Sequence, residues 1–303
     1  MHEAGLTLAV RLRAAANLAR PFTLLAPVVG VLCTSAVAAA ATDRAWWTLS
    51  LLAASLSAAL ATVASNAWNQ VFDLEVDRVN KPHRPLPAGL LTTFVAQRIG
   101  HVSAAAALGL AALVSLPFLV CVAIGVVATW IYSAPPARLK RSTWGALLVI
   151  AIPRGLLVPV AGWAVVATPD VSDPWALGAV AFLFVLGAAA TKDFSDVEGD
   201  RANDCRTLPV VFGIRRAALF VAPFLVAPFL LYPIFGALGW LHVPVWRLGV
   251  LALVLVALGL VTVFFLLRDT EGLAHTERGH PAWRGMYLLL LGTQIGTALV
   301  YVL

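Results

Sequence analysis

Residues 64–89 read ASNAWNQVFDLEVDRVNKPHRPLPAG, and residues 191–213 read TKDFSDVEGDRANDCRTLPVVFG. Both stretches pass through the same D-x-E-x-D-R sequence, then reach Leu-Pro and a glycine, Gly89 in one and Gly213 in the other. In the first, Asn69, Asp73 and Asp77 fall at i, i+4 and i+8; in the second, Asp193, Asp196 and Asp200 fall at i, i+3 and i+7. On a helix each set occupies one face. Each cluster reads as the polar end of an apolar helix, and the recurrence reads as a duplicated unit.

The rest of the chain shows how unusual these carboxylates are. Hydrophobic residues make up 61% of the 303 and charged residues 12%, with a mean hydropathy of +0.90; a soluble domain carries about 25% charged residues. Apolar runs near the spanning length of about 20 residues occur at Thr23–Ala41, Trp46–Ala67, Phe94–Leu113, Pro117–Ile131, Trp144–Val166, Trp175–Ala190, Ala217–Leu238, Trp246–Leu267 and Met286–Leu303. Proline and glycine within them exclude little, because membrane helices tolerate both. The expected fold is all-α: a polytopic membrane bundle of nine transmembrane helices, residues 1–303 forming one membrane domain of two pseudo-repeated four-helix halves. The acidic clusters then close helices two and six.

Basic residues orient the bundle. With the joints assigned alternately to two sides, 18 of the 21 Lys and Arg residues fall on the side of the N-terminus. Only Arg44 and Arg247 fall on the other, and Arg154 lies within a span. This asymmetry predicts a cytoplasmic N-terminus and an external Leu303. It makes the net charge of +6 a topology signal and not a nucleic-acid footprint. The first run ends SAVAAAATD, like a signal peptide, but its length and the eight further spans favour an uncleaved helix. The preceding LAVRLRAAANLARP fits a short basic interfacial helix of weak amphipathicity. Cys33, Cys121 and Cys205 imply no disulfide framework, and the six histidines show no paired metal spacing.

Carboxylates stacked at helical spacing repel, at roughly a few tenths of a kcal/mol per pair, and a bound cation relieves the repulsion. A lone cluster of this kind reads as a solvated loop; two with matching surroundings argue for a site. Oxygen ligands without histidine or thiol indicate Mg²⁺ rather than zinc. Mg²⁺ is normally held by one or two carboxylates plus substrate phosphates, so facing clusters suggest a clamped diphosphate. Arg138, Lys140 and Arg141 in IYSAPPARLKRSTWG, with Lys81 and Arg84, are suited to neutralise a phosphate; positive-inside topology is the other reading of the same residues. Arg154, in IPRGLL, lies two to three turns into a span. It reads as lining a cavity, with snorkelling to the interface as the alternative.

Taken in order, N-x3-D-x3-D at Asn69, Asp73 and Asp77, then NKPHRPLPAG, YSAPPARLKR, Arg154–Gly155, KDFSDVEGDRANDCRTLPVVFG and the Arg20–Pro21 opening resemble the UbiA-type intramembrane prenyltransferase superfamily over nearly the whole chain. The wording around the first acidic motif looks closest to its homogentisate, chlorophyll and archaeal-lipid branches. The resemblance implies a central cavity opening sideways to lipid, with two Mg²⁺ ions and the diphosphate of an isoprenyl donor at its cytoplasmic mouth. By motif position, Asn69, Asp73 and Asp77 would bind one ion and Asp196 and Asp200 the other, assisted by Asp193. Asp73, Asp77, Asp196 and Asp200 would be catalytic, with Tyr132 near the reacting allylic carbon. Lys140, Arg138 and Arg78 would hold the diphosphate, and Arg20, Asn66, Lys81, Arg141, Arg154 and Lys192 would complete the substrate-binding set. The implied partners are the isoprenyl diphosphate, a lipophilic or aromatic acceptor, and membrane lipid. One position departs from the pattern: Asp204 stands where the family commonly has glycine. The expected activity is prenyl transfer to the acceptor. A terpene cyclase would share the ionisation step, and an ion-coupled transporter would account for Arg154 but would place its carboxylates at the midplane.

Overall fold

The computed structural model describes residues 7–275 and 280–303, and those residues form helices with no strand. A short α1 (Leu8–Ala19) precedes α2 (Pro21–Thr42), the two separated at Arg20, whose φ of 53° breaks the helix. Then come α3 (Leu49–Phe72), the short α4 (Leu74–Asn80), α5 (Thr93–Ala112) and α6 (Leu116–Ser133). The fifth rod is α7 (Thr143–Ala151) and α8 (Leu157–Ala164), joined through a π-helical turn at Ile152–Leu156. After α9 (Ser172–Ala188) come α10 (Val197–Ala202) and α11 (Leu208–Phe212). The seventh rod runs from α12 (Ile214–Val221) to α13 (Leu231–Ala237), and α14 (Val245–Arg268), α15 (Thr270–His275) and α16 (Pro281–Val302) end the chain. Arg278, counted above among the basic residues of the N-terminal side, lies outside the described residues.

Each expected span falls on a helical rod, but the rods differ in kind. Eight are long and apolar enough to cross a membrane. The exception is α5, long enough at 20 residues but carrying Gln97, Arg98 and His101 in its first half. Local signals set several starts: Thr48, Thr92, Ser115 and Ser142 each accept a hydrogen bond from the amide three residues on, as N-caps do. In the seventh rod, the repeated APFL at 222–225 and 227–230 forms two 3₁₀ turns, because Pro223 and Pro228 each remove a helical donor.

The bundle closes on itself. Helix α2 packs against α3, α8 and α16, α16 returns to α14, and α8 joins α6 to α9. Hydrocarbon offers no hydrophobic drive between helices, so small residues and polar bridges hold them together. Ser35 donates to the carbonyl of Gly162, Ser57 to Ala107 and Ser115 to Ala164, each at 2.8 Å. Such bonds contribute on average about 0.6 kcal/mol. At the end of the bundle away from the acidic motifs, buried Asp173 accepts from the backbone amide of His242 (3.0 Å) and the Tyr301 hydroxyl (2.5 Å), with the His242 Nδ1 2.5 Å from its other oxygen. That cluster ties α9, the α13–α14 joint and the chain end together.

Candidate active site at the acidic end of the bundle

The two motifs meet at one end of the bundle, and their backbones match. Asp73 (φ −103°, ψ 11°) ends α3 and begins α4; Asp196 (φ −111°, ψ 9°) ends a 3₁₀ stretch, Ala189–Asp196, and begins α10. Equivalent aspartates thus sit at equivalent breaks. This corrects the expectation of two continuous helical faces: the rods turn at the first Asp of each repeat, in the sparsely populated bridge region where site residues often lie. Gly89 (φ 70°) and Gly213 (φ 82°) end the two repeats in conformations that L side chains rarely adopt. Asp204 also has a positive φ, 56°, so the departure from glycine leaves the turn in the left-handed region, which Asp tolerates better than most residues.

Three of the motif carboxylates, Asp73, Asp77 and Asp196, pair with a cation. Lys140 pairs with Asp73, which also accepts from Asn69 Nδ2 at 2.7 Å. Arg84 Nη1 donates to both oxygens of the buried Asp77, at 2.7 and 2.6 Å. Lys81 Nζ lies 2.8 Å from both oxygens of Asp196, so a residue of the first repeat grips a carboxylate of the second. Asp193, Asp196 and Asp200 are near enough to repel one another, yet among the described residues no three acidic, histidine or cysteine side chains converge on one point.

The basic loop is fastened from both sides. Arg138 Nη2 donates to the carbonyl of Phe72 at 3.1 Å, and the Arg206 amide donates to the Arg141 carbonyl at 3.1 Å. Burial pulls the Lys140 ammonium down to about 8, opposed by Cys205 and Asp200, so at neutral pH it remains mostly charged beside Asp73. Burial pushes the Cys205 thiol up. Oxygen donors alone, with cations around them, suit a hard ion shared with phosphate oxygens.

Other expected residues are placed differently. Lys192 donates to the Tyr132 hydroxyl at 2.7 Å and lies 4.8 Å from its ring centroid. Arg78 is exposed and paired with Glu75 instead of turning into the cluster. Buried Asn66 donates to the Ala19 carbonyl (2.7 Å) and Thr23 (2.8 Å), fastening the α1–α2 joint where Arg20 sits. Arg141 is exposed at the rim. Arg154 borders a small cavity inside the bundle, but the residue as a whole is exposed, and it is near enough to Lys192 to repel it. Its neighbour Gly155 explains the Arg-Gly pair: a Cβ there would lie 2.5 Å from the Phe182 Cα, so the π-helical turn presses directly on α9. Gln294, on the same cavity, was not among the expected site residues; its only sequence signal is a lone amide in an apolar run.

A membrane-embedded helical bundle with duplicated acidic motifs and a cationic loop at one end defines a class of intramembrane protein. Residues 28–278 match the UbiA prenyltransferase family, and the chain belongs to that family. A probable chloroplastic homogentisate phytyltransferase 2 of Oryza sativa subsp. japonica is 34% identical over 60% of this chain and 50% of its own length. A digeranylgeranylglyceryl phosphate synthase of Methanothermobacter thermautotrophicus is 32% identical over 75% of this chain and 80% of its own. The chain thus spans about half the length of the rice relative. A UbiA homologue from Archaeoglobus fulgidus, solved with GPP and Mg²⁺, shares the fold with a TM-score of 0.74 at 20% identity, covering 95% of this chain and 99% of the homologue.

Proposed function

We propose that the protein transfers an isoprenyl group from an isoprenyl diphosphate to a lipophilic or aromatic acceptor within the membrane. The observation that carries the reading is the Lys81–Asp196 contact between the repeats, which brings both acidic motifs to one mouth. Asn69, Asp73 and Asp77 would hold one Mg²⁺, and Asp196 and Asp200 a second, with Asp193 beside them. When bound, Mg²⁺ neutralises charge on the departing diphosphate, in such sites often the largest catalytic contribution. Lys81, Arg84 and Lys140 already face these carboxylates and would turn toward the phosphate oxygens, with Arg138 beside them.

The allylic C–O bond breaks with its electron pair leaving on the diphosphate. The acceptor's nucleophilic atom then bonds to the allylic carbon and gives up a proton. Tyr132, with Lys192 on its hydroxyl, would flank that carbon, and the apolar bundle would exclude water from the cation. The basic asymmetry supports a mouth that faces the cytoplasm.

The test is diphosphate release from labelled donors with Mg²⁺, with and without a panel of acceptors. Release that needs an acceptor is the expected outcome. Efficient conversion of donor alone to a cyclic terpene would replace transfer with cyclisation.

A further inference from the structure

The basic loop between α6 and α7 is tied by its backbone to both acidic motifs at once. On the side of the first repeat, Arg138 Nη2 donates to the carbonyl of Phe72, the residue before Asp73. On the side of the second, Arg206 engages the loop through both of its backbone groups. Its amide donates to the Arg141 carbonyl at 3.1 Å, and its carbonyl accepts from the Thr143 hydroxyl. Lys140 stands between these attachments, buried in the 3₁₀ turn Leu139–Arg141 and paired with Asp73.

The segment that delivers Arg206 is itself closed. The Cys205 amide donates to the Asp200 carbonyl at 2.9 Å, and Asn203 Nδ2 donates to the Gly199 carbonyl at 2.9 Å. Asp204, at φ 56°, stands in this turn. Asp200 and the Arg206 clasp are thus joined through one tight turn. The Thr143 hydroxyl, for its part, is not needed by its own helix. Ser142 accepts from the Gly145 amide at 3.2 Å and already caps α7. Water could satisfy the Arg206 carbonyl at this exposed site, so what the direct bond adds is position.

We infer that Thr143 is a positioning residue: its hydroxyl holds the basic loop to the second acidic motif and so keeps Lys140 in place between Asp73 and Asp200. The inference rests on the prenyl-transfer reading, in which Lys140 meets the diphosphate. The lysine side chain is long and flexible, so its reach is set by where its backbone is held. A cation held in advance binds its anion without a fresh ordering cost. With the clasp open, the loop must be ordered again at each binding event.

Two measurements on the full chain in lipid nanodiscs test this. The first is hydrogen exchange without ligand, read on the peptide that contains the Arg206 amide. Exchange is expected to be slow in the wild type and in Thr143→Ser, and at least fivefold faster in Thr143→Val, which keeps the branched shape without the donor. The second is equilibrium binding of geranylgeranyl S-thiolodiphosphate, whose carbon–sulfur bond resists cleavage, in the presence of Mg²⁺. Thr143→Val should bind it about fivefold more weakly, the scale of one net hydrogen bond, and Thr143→Ser should stay within twofold of wild type. Lys140→Met should weaken binding about tenfold. Adding Thr143→Val to it should cost less than a further twofold, because residues that act through one another are not additive. Thr143→Ala replaces the valine variant if that one fails to fold. Unchanged exchange in Thr143→Val, no recovery in Thr143→Ser, or a full further fivefold loss in the double variant would overturn the positioning role. Absence of Mg²⁺-dependent binding to the wild type would instead overturn the diphosphate reading, and with it the role given to Lys140.

Discussion

Asp77 is buried and Glu75, two residues before it, is exposed on Arg78; in the second repeat Asp200 is half-buried and Glu198 exposed. Alanine at Asp73, Asp77, Asp196 or Asp200 should therefore lower Mg²⁺-dependent diphosphate release by about 10²-fold or more, the scale of losing one transition-state stabiliser. Glu75→Ala and Glu198→Ala should stay within a few-fold of wild type, and equal losses at both residue types would contradict the inward assignment. The aspartates were legible in the sequence because the motif is written twice. Their partners were not: Lys81 and Asp196 are 115 residues apart, and no local pattern pairs them. Asp204 allows a second test. At φ 56° a β-branched side chain is strained by roughly 1–2 kcal/mol, so Asp204→Val should lower the thermal midpoint while Asp204→Gly leaves it unchanged or raises it.

At the scale of elements, hydrophobic length was enough to find every rod, because a spanning helix must run about 20 apolar residues. The breaks at Asp73 and Asp196 were hidden, since a 3.6-residue period looks the same whether the backbone continues or turns at one residue. The π-helical turn at Ile152–Leu156 was hidden for the same reason, although Pro153 and Gly155 both fall within it. That turn carries Arg154 to the cavity, and Gly155 lets it approach α9. Gly155→Ala places a methyl 2.5 Å from the Phe182 Cα and 2.8 Å from its amide nitrogen, against backbone that cannot rotate aside. Overpacking of this kind costs roughly 1–3 kcal/mol. The variant should unfold at a lower temperature in detergent, while alanine at Gly109, which has open space around it, should not. If both behave alike, the close approach of the turn to α9 is not what holds the rod.

Across the whole molecule, the duplicated halves bring two acidic ends to one mouth, and α16 joins the second half to the first through α14 and α2. The bundle and its polar mouth were readable from apolar runs and a repeated motif, but the Asp173 cluster at the opposite end was not. Asp173, His242 and Tyr301 come from three distant segments, and each alone looks like an ordinary interfacial residue. The proposed sidedness rests on a property of the entire chain: by the alternating assignment of joints, 18 of 21 Lys and Arg residues fall on the side of the N-terminus, and the rule that positive charge is retained on the cytoplasmic side turns that asymmetry into an expected orientation. Lys140 and Cys205 are buried, so a labelling reagent would miss them whichever way the protein lies. Arg141 and Arg201 are exposed at the mouth. In a chain with its three cysteines replaced by alanine, Arg141→Cys and Arg201→Cys should react with an impermeant maleimide only after the membrane is opened. A tag following Leu303, beyond the far end of α16, should be reached in intact cells. Labelling of the two mouth positions without permeabilisation would invert the bundle and take the proposed diphosphate site away from the cytoplasmic side.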